Sequence, residues 1–226
     1  LKTVYDYSKY LILTSFIQFF SGNIFLGAAS IIMGPIALGI IRMAQNLIGI
    51  LNVLFLAMEN LIPIKAAEVL AKKGNLEMLH YFKKIGLKGL LVTLLIVGLI
   101  ILFKDPLIKI LYGSDYVLYS WTVVYFGILY LLVFVGTMAR FLIRTTAQNH
   151  IILIGYVVSS IISLIIAYPL IMNFQLSGVF TGLFISQIVT IATYYTFLKN
   201  SLLLHLYVRV LYRKIYNFSI DALLYL

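Results

Sequence analysis

Residues 145–198 read TTAQNHIILIGYVVSSIISLIIAYPLIMNFQLSGVFTGLFISQIVTIATYYTFL, 54 positions without one Asp, Glu, Lys or Arg. A helix needs about 20 mostly apolar residues to cross the hydrocarbon core of a bilayer, so this stretch is long enough for two crossings. Pro169, Asn173 and Gly178 supply the break between them and put the spans at 151–172 and 176–198. Working back toward the N-terminus, the same reading finds four more. The fourth covers 116–139 and ends before Arg140 and Arg144, with Asp115 expected as its cap. The third covers 85–103, with Lys88 near its start, where a lysine can snorkel to the headgroups, and Lys104-Asp105-Pro106 ending it. The second covers 36–58, carries Arg42 inside it, and is expected to close at Glu59-Asn60 and Pro63. The first covers 11–33 and stops at Gly34-Pro35.

The composition agrees with an all-α polytopic membrane bundle of about six transmembrane helices. Hydrophobic residues make up 63% of the chain and charged residues 11%, with a mean hydropathy of +1.07. Soluble domains are about 45–50% apolar and about 25% charged, so a soluble enzyme is excluded. With 15 Phe, 17 Tyr and 1 Trp the chain is also too aromatic for disorder. Cysteine is absent, which removes disulfides and thiolate metal sites, and His80, His150 and His205 lie outside any ligand spacing. No metal or cofactor is expected.

The cations orient the bundle. Lys2 and Lys9 precede the first span, and six lysines from Lys65 to Lys88 separate the second from the third. Arg140 and Arg144 lie between the fourth and fifth, and Lys199, Arg209, Arg213 and Lys214 follow the sixth. These 14 fall on one side, against Lys104 and Lys109 on the other, with Arg42 in the membrane. The positive-inside rule makes the basic side, and both chain ends, cytoplasmic. Two further stretches are amphipathic: 76–84, with Asn75 as its expected N-cap, and the basic segment 200–226. Both are expected to lie on the membrane surface against anionic lipid, which accounts for the net charge of +10 without nucleic acid.

Polar side chains inside the spans are the candidate site. A charge in a spanning helix costs about 2.5–3.5 kcal/mol on insertion scales, so Arg42 is expected to face a polar cavity or other protein. At 100° per residue Asn46, Gly49 and Asn60 fall on its line, with Gln45 and Asn52 beside it. The first span offers Gln18 near Thr14 and Ser21, and the sixth offers Gln187, Thr190 and Tyr194. Three helices with one polar side each can enclose a wet path. The same residues also fit structural roles, with Arg42 snorkelling to the outer interface and the amides bonding between helices. The stripe Tyr156, Ser160, Ser163 and Ala167 reads as packing. Catalysis finds no motif: there is no phosphate loop, no metalloprotease helix, no serine elbow, and no pair of acids within the membrane.

Several segments resemble bacterial polysaccharide flippases, the O-antigen and teichoic-acid exporters of the multidrug/oligosaccharidyl-lipid/polysaccharide exporter superfamily. GPIALGIIRMAQNLIGILNVLFLAMENLIPIKAAEVLAKKGNLEMLHYFKK (34–84) resembles their seventh-to-eighth helix region. ILYGSDY (110–116) resembles the signature before the tenth helix, ARFLIRTTAQN (139–149) the basic loop before the eleventh, and LSGVFTGLFISQIV (176–189) the glycine-bearing start of the twelfth. The resemblance implies that residues 1–199 are the C-terminal six-helix lobe of a longer transporter, and a chain starting at Leu1 rather than Met is expected to lack an N-terminal lobe. It implies flipping of a polyprenyl-pyrophosphate-linked oligosaccharide across the bacterial cytoplasmic membrane by alternating access. Its partners would be that anionic lipid-linked oligosaccharide, membrane lipids, and polysaccharide polymerase and assembly proteins. Arg42 would bind phosphate, while Gln45, Asn46, Asn52, Gln18 and Gln187 would bond sugar hydroxyls and phosphate. Where family members often carry Asp-Arg in the first of these helices, this chain has Gly22-Asn23. A drug or cation exporter of the same superfamily and a non-transporting scaffold for glycan assembly are the alternatives.

Overall fold

Glycine and proline divide the apolar runs into elements. The computed structural model describes the backbone of residues 2–224 and the side chains of residues 13–199. Helix α1 (Lys2–Met33) ends at Gly34, and Pro35 opens α2 (Pro35–Ile48) at a position where its missing amide costs nothing. A two-residue interruption at Gly49-Ile50 separates α2 from α3 (Leu51–Lys73), and the two axes bend by 52°. Together α2 and α3 are long and apolar enough to make one bent crossing.

The expected stop at Pro63 does not occur. Helix α3 runs through Pro63 to Lys73. The ring removes one amide donor, that for the Glu59 carbonyl, while Ile62 and Ala66 stay buried on the packed face and hold the helix together. Gly74, at φ 84°, then turns the chain into α4 (Asn75–Leu102). The stretch 76–84 is therefore not a separate surface helix; it forms the first turns of α4. Met78 and Phe82 bury their i, i+4 stripe against Ile62, Ala66 and Phe141 rather than against lipid. Asn75 does not cap it either, because Gly74 holds the cap position and no side chain bonds there.

Beyond α4 come a short α5 (Lys104–Tyr112) and a 3-10 turn over Ser114–Tyr119, before α6 (Trp121–Thr145). The fourth span thus starts at Trp121, not at 116, and Asp115 is not its cap. Ser120 precedes α6 without a side-chain cap bond, and the Asp115 carboxylate instead accepts from Ser114 Oγ at 3.5 Å. At this end Lys104 donates to Asp105 at 2.8 Å and, with Ser120, holds that carboxyl below the usual carboxylate range.

Helix α7 (Asn149–Leu224) contains one non-helical residue, Gln175 (φ 50°, ψ −129°), and the chain doubles back there. Ser159 Oγ reaches Ser186 Oγ at 2.7 Å, so the two arms lie side by side. Pro169 sits inside the first arm, and Asn173 Nδ2 donates to its carbonyl at 2.8 Å. Among the described residues four helices are long and apolar enough to cross a membrane, five with the bent pair, and the fold-back at Gln175 divides the longest into two. No strand occurs among the described residues. The chain is an all-α, multi-pass membrane bundle. Side chains beyond Lys199 lie outside the described residues, and with them the surface placement of 200–226.

Inside the bundle α1 packs chiefly on α7, and α6 joins α7 to α3 and α4. Gly182 lets Phe25 press directly on the second arm of α7. Around Phe180 the rings of Trp121, Tyr125 and Phe126 gather at 5.4–5.6 Å. Large apolar side chains such as Phe19, Leu95, Leu164 and Ile188 remain exposed on the outside, which is the surface a lipid solvent requires.

Candidate membrane cavity

Small residues make room in the centre of the bundle. Ser21 and Gly22 on α1, Gly136 on α6 and Ser186 on α7 line a cavity of ≈ 560 Å³ between α1, the bent pair, α6 and the second arm of α7. A side chain at Gly136 would meet Gln187 Nε2, so this glycine admits the amide. Amides and hydroxyls supply much of the lining: Gln18, Gln45, Asn52, Gln187, Thr190 and Tyr130. Asn52 Nδ2 donates to Tyr130 Oη at 3.2 Å, and Gln187 Nε2 donates to the Leu132 carbonyl at 3.5 Å. In hydrocarbon such groups would be left without partners, so a cavity holding water or a polar ligand is the environment they suit.

The far end of the cavity carries charge. Glu59 on α3 and Arg144 on α6 form an ion pair, with side chains 26% and 27% exposed. One turn back along α6, Arg140 donates through Nη1 to Tyr156 Oη at 2.6 Å and through Nη2 to Thr137 Oγ1 at 3.2 Å. Tyr194, on the second arm of α7, is only 1% exposed and lines the same end. Its hydroxyl lies against Tyr156 without a well-formed hydrogen bond, and Arg140 Nε and Arg144 Nε are buried without partners.

Four of the six residues singled out in the sequence meet at this cavity: Gln18, Gln45, Asn52 and Gln187. Arg42 does not. It occupies a separate open groove of ≈ 460 Å³ between α1 and α2, whose walls Gln18, Gly22 and Gln45 also belong to the cavity. Exposed there, its guanidinium donates to Gln45 Oε1 at 2.8 Å and to Asn23 Oδ1 at 3.3 Å. Asn46 faces elsewhere, donating from Nδ2 to Tyr112 Oη on α5 at 3.4 Å. The line from Arg42 to Asn60 assumed a straight helix, and the 52° bend at Gly49-Ile50 takes Asn60 off it, whereas Asn46 lies one turn from Arg42 on the same helix and is engaged by Tyr112 instead.

Sequence reading missed the charged end. Arg140 and Arg144 were assigned to a cytoplasmic loop, but α6 continues through both. Their i, i+4 spacing at the close of an apolar run was the available signal, with Glu59 at the corresponding end of the second span. Tyr156, read as packing, is a hydrogen-bond partner of Arg140. Among the described residues no group of three or more His, Asp or Glu is placed to hold a metal ion.

No family model, curated protein or solved structure matches this chain. The resemblance to polysaccharide flippases rests on the sequence motifs alone.

Proposed function

We propose that the chain is one lobe of a transporter that flips a polyprenyl-pyrophosphate-linked oligosaccharide across the bacterial cytoplasmic membrane. The observation that carries this reading is a partly open cavity of ≈ 560 Å³, lined in part by amides and hydroxyls, within an apolar bundle. An oligosaccharide presents hydroxyls in many directions, and Gln and Asn side chains can donate and accept toward each of them. One guanidinium, Arg140, lines the cavity end beside Glu59, whose charge Arg144 behind the lining already offsets, a balance that favours an anionic headgroup over a cationic drug. Among the described residues Glu59 is the one carboxylate lining the cavity, and Arg144 already engages it. A scaffold that only recruits cytoplasmic enzymes needs no such interior. The isoprenoid tail would remain in the bilayer, and a second lobe would rock against this one around the polar site. In this reading the basic loops and both chain ends face the cytoplasm.

The test is genetic and chemical. In a strain lacking the gene, surface glycan should fall and the lipid-linked intermediate should accumulate on the inner face of the cytoplasmic membrane. The full-length protein should restore both. Unchanged surface glycan and no intermediate in the deletion strain would overturn the reading.

A further inference from the structure

We infer that the Arg140 end of the cavity is an oxyanion site, built for the phosphate or diphosphate of a membrane-borne ligand. The inference deepens the flippase reading and rests on it for the ligand's lipid anchor, but the site itself follows from charge and hydrogen-bond geometry.

Charge comes first. Arg144 is ion-paired with Glu59, which also attracts Arg140, so one carboxylate serves two guanidinium groups and one positive charge is left over. Both hydrogen-bond partners of Arg140 among the described residues, Tyr156 and Thr137, are neutral. A guanidinium within an apolar bundle retains its charge, because it is too strong a base to give up its proton there. Water can satisfy its N–H groups but supplies no counter-charge, whereas a phosphate oxygen supplies both.

Geometry supplies a second, independent line. Arg140 Nε and the Tyr194 hydroxyl are buried without well-formed partners, and both residues line the same end of the cavity. Buried polar atoms are normally paired, so two donors left open at one place mark a missing acceptor. Tyr156 bonds Arg140 Nη1 at 2.6 Å and steadies the guanidinium from the side. The anion is therefore held by Arg140 with Tyr194 as second donor, while Gln18, Asn52 and Gln187 farther along the cavity remain for hydroxyl-bearing parts of the ligand. Arg42 is left out of this site, being exposed in the groove alongside.

Binding to the full-length protein in phosphatidylcholine nanodiscs tests the site, with inorganic pyrophosphate and farnesyl diphosphate as probes. Wild type should bind both. Arg140→Gln should lose about tenfold or more in affinity for each, as expected for a charge-assisted bond, and Arg140→Lys should lose less. Tyr194→Phe, which keeps the ring and removes only the hydroxyl, should lose about threefold; it keeps the test decisive if Arg140→Gln fails to fold. Arg42→Gln should bind within about twofold of wild type. Tighter binding of farnesyl diphosphate supports a lipid-borne ligand. Equal binding of the two probes leaves the site standing and assigns it to a soluble anion, which removes support from the flippase reading. Failure of wild type to bind either probe, or wild-type affinity in both Arg140→Gln and Tyr194→Phe, would overturn the inference even if the deletion strain shows the glycan defect.

Discussion

Arg42 on α2 and Arg140 on α6 both interrupt long apolar helices, yet the first is exposed in an open groove and the second has a buried, unpartnered Nε. Arg42 shares its charge with two neutral amides, Gln45 and Asn23, and keeps contact with solvent. Arg140 lies within reach of an ion pair whose carboxylate belongs to its neighbour on the same helix, Arg144. The position of an arginine along an apolar run is thus a poor guide to its role. What matters is whether the side chain can reach water, because desolvation without a counter-charge is the large term.

The largest expected effect is at the inner end. Glu59→Gln leaves Arg140 and Arg144 facing each other uncompensated and should cost about 2 kcal/mol, discounted from the fully buried case for partial exposure. Thermal unfolding in lipid nanodiscs would show it. The double variant Glu59→Gln/Arg144→Gln should recover at least half of the loss; no recovery would mean that the two arginines are not electrostatically linked. Next in size is Gly182→Ala, whose new methyl would strike the buried Phe25 ring that joins α1, a wall of both the cavity and the Arg42 groove, to α7. A loss of about 1–1.5 kcal/mol, the low end for overpacking, is expected, read as a lower unfolding temperature. Ser159→Ala removes the hydroxyl contact between the arms of α7 and should cost about 0.6 kcal/mol, the usual scale for one interhelical bond in a membrane protein. Arg42→Gln closes the series: in an open groove it should shift stability by less than about 0.5 kcal/mol. A loss as large as that of Glu59→Gln would erase the contrast between the two arginines.

How much of this was legible depended on whether a local rule was enough. The long uncharged run 145–198 and the Gly34-Pro35 break follow from hydropathy and backbone sterics, and both appear where these rules put them. Pro63 misled because a proline within an otherwise packed helix removes one hydrogen bond without forcing the chain to stop. The amphipathic stretch 76–84 misled for a related reason: of the stripe Leu76, Leu79 and Phe82 only Phe82 is buried, and it joins Met78 on the face that α3 receives. At the site, Gln18, Gln45, Asn52 and Gln187 could be found because amides stand out in apolar helices. Asn46 was lost to Tyr112 on α5, a partner 66 residues away that helical periodicity does not encode. Arg140 and Tyr156 were hidden because topology and packing already seemed to explain them, and only the fold brings α6 against the first arm of α7.

The central claim is a water-accessible polar cavity inside a lipid-facing bundle, and the absence of cysteine from these 226 residues makes it directly measurable. Single-cysteine variants of the full-length protein would be treated in native membranes with a charged, membrane-impermeant methanethiosulfonate. Asn52→Cys and Gln187→Cys should react, because thiolate forms only where water reaches it, while the outward-facing Leu164→Cys and Ile188→Cys should stay inert. Equal reactivity of the two sets, or inert thiols at positions 52 and 187, would contradict the account.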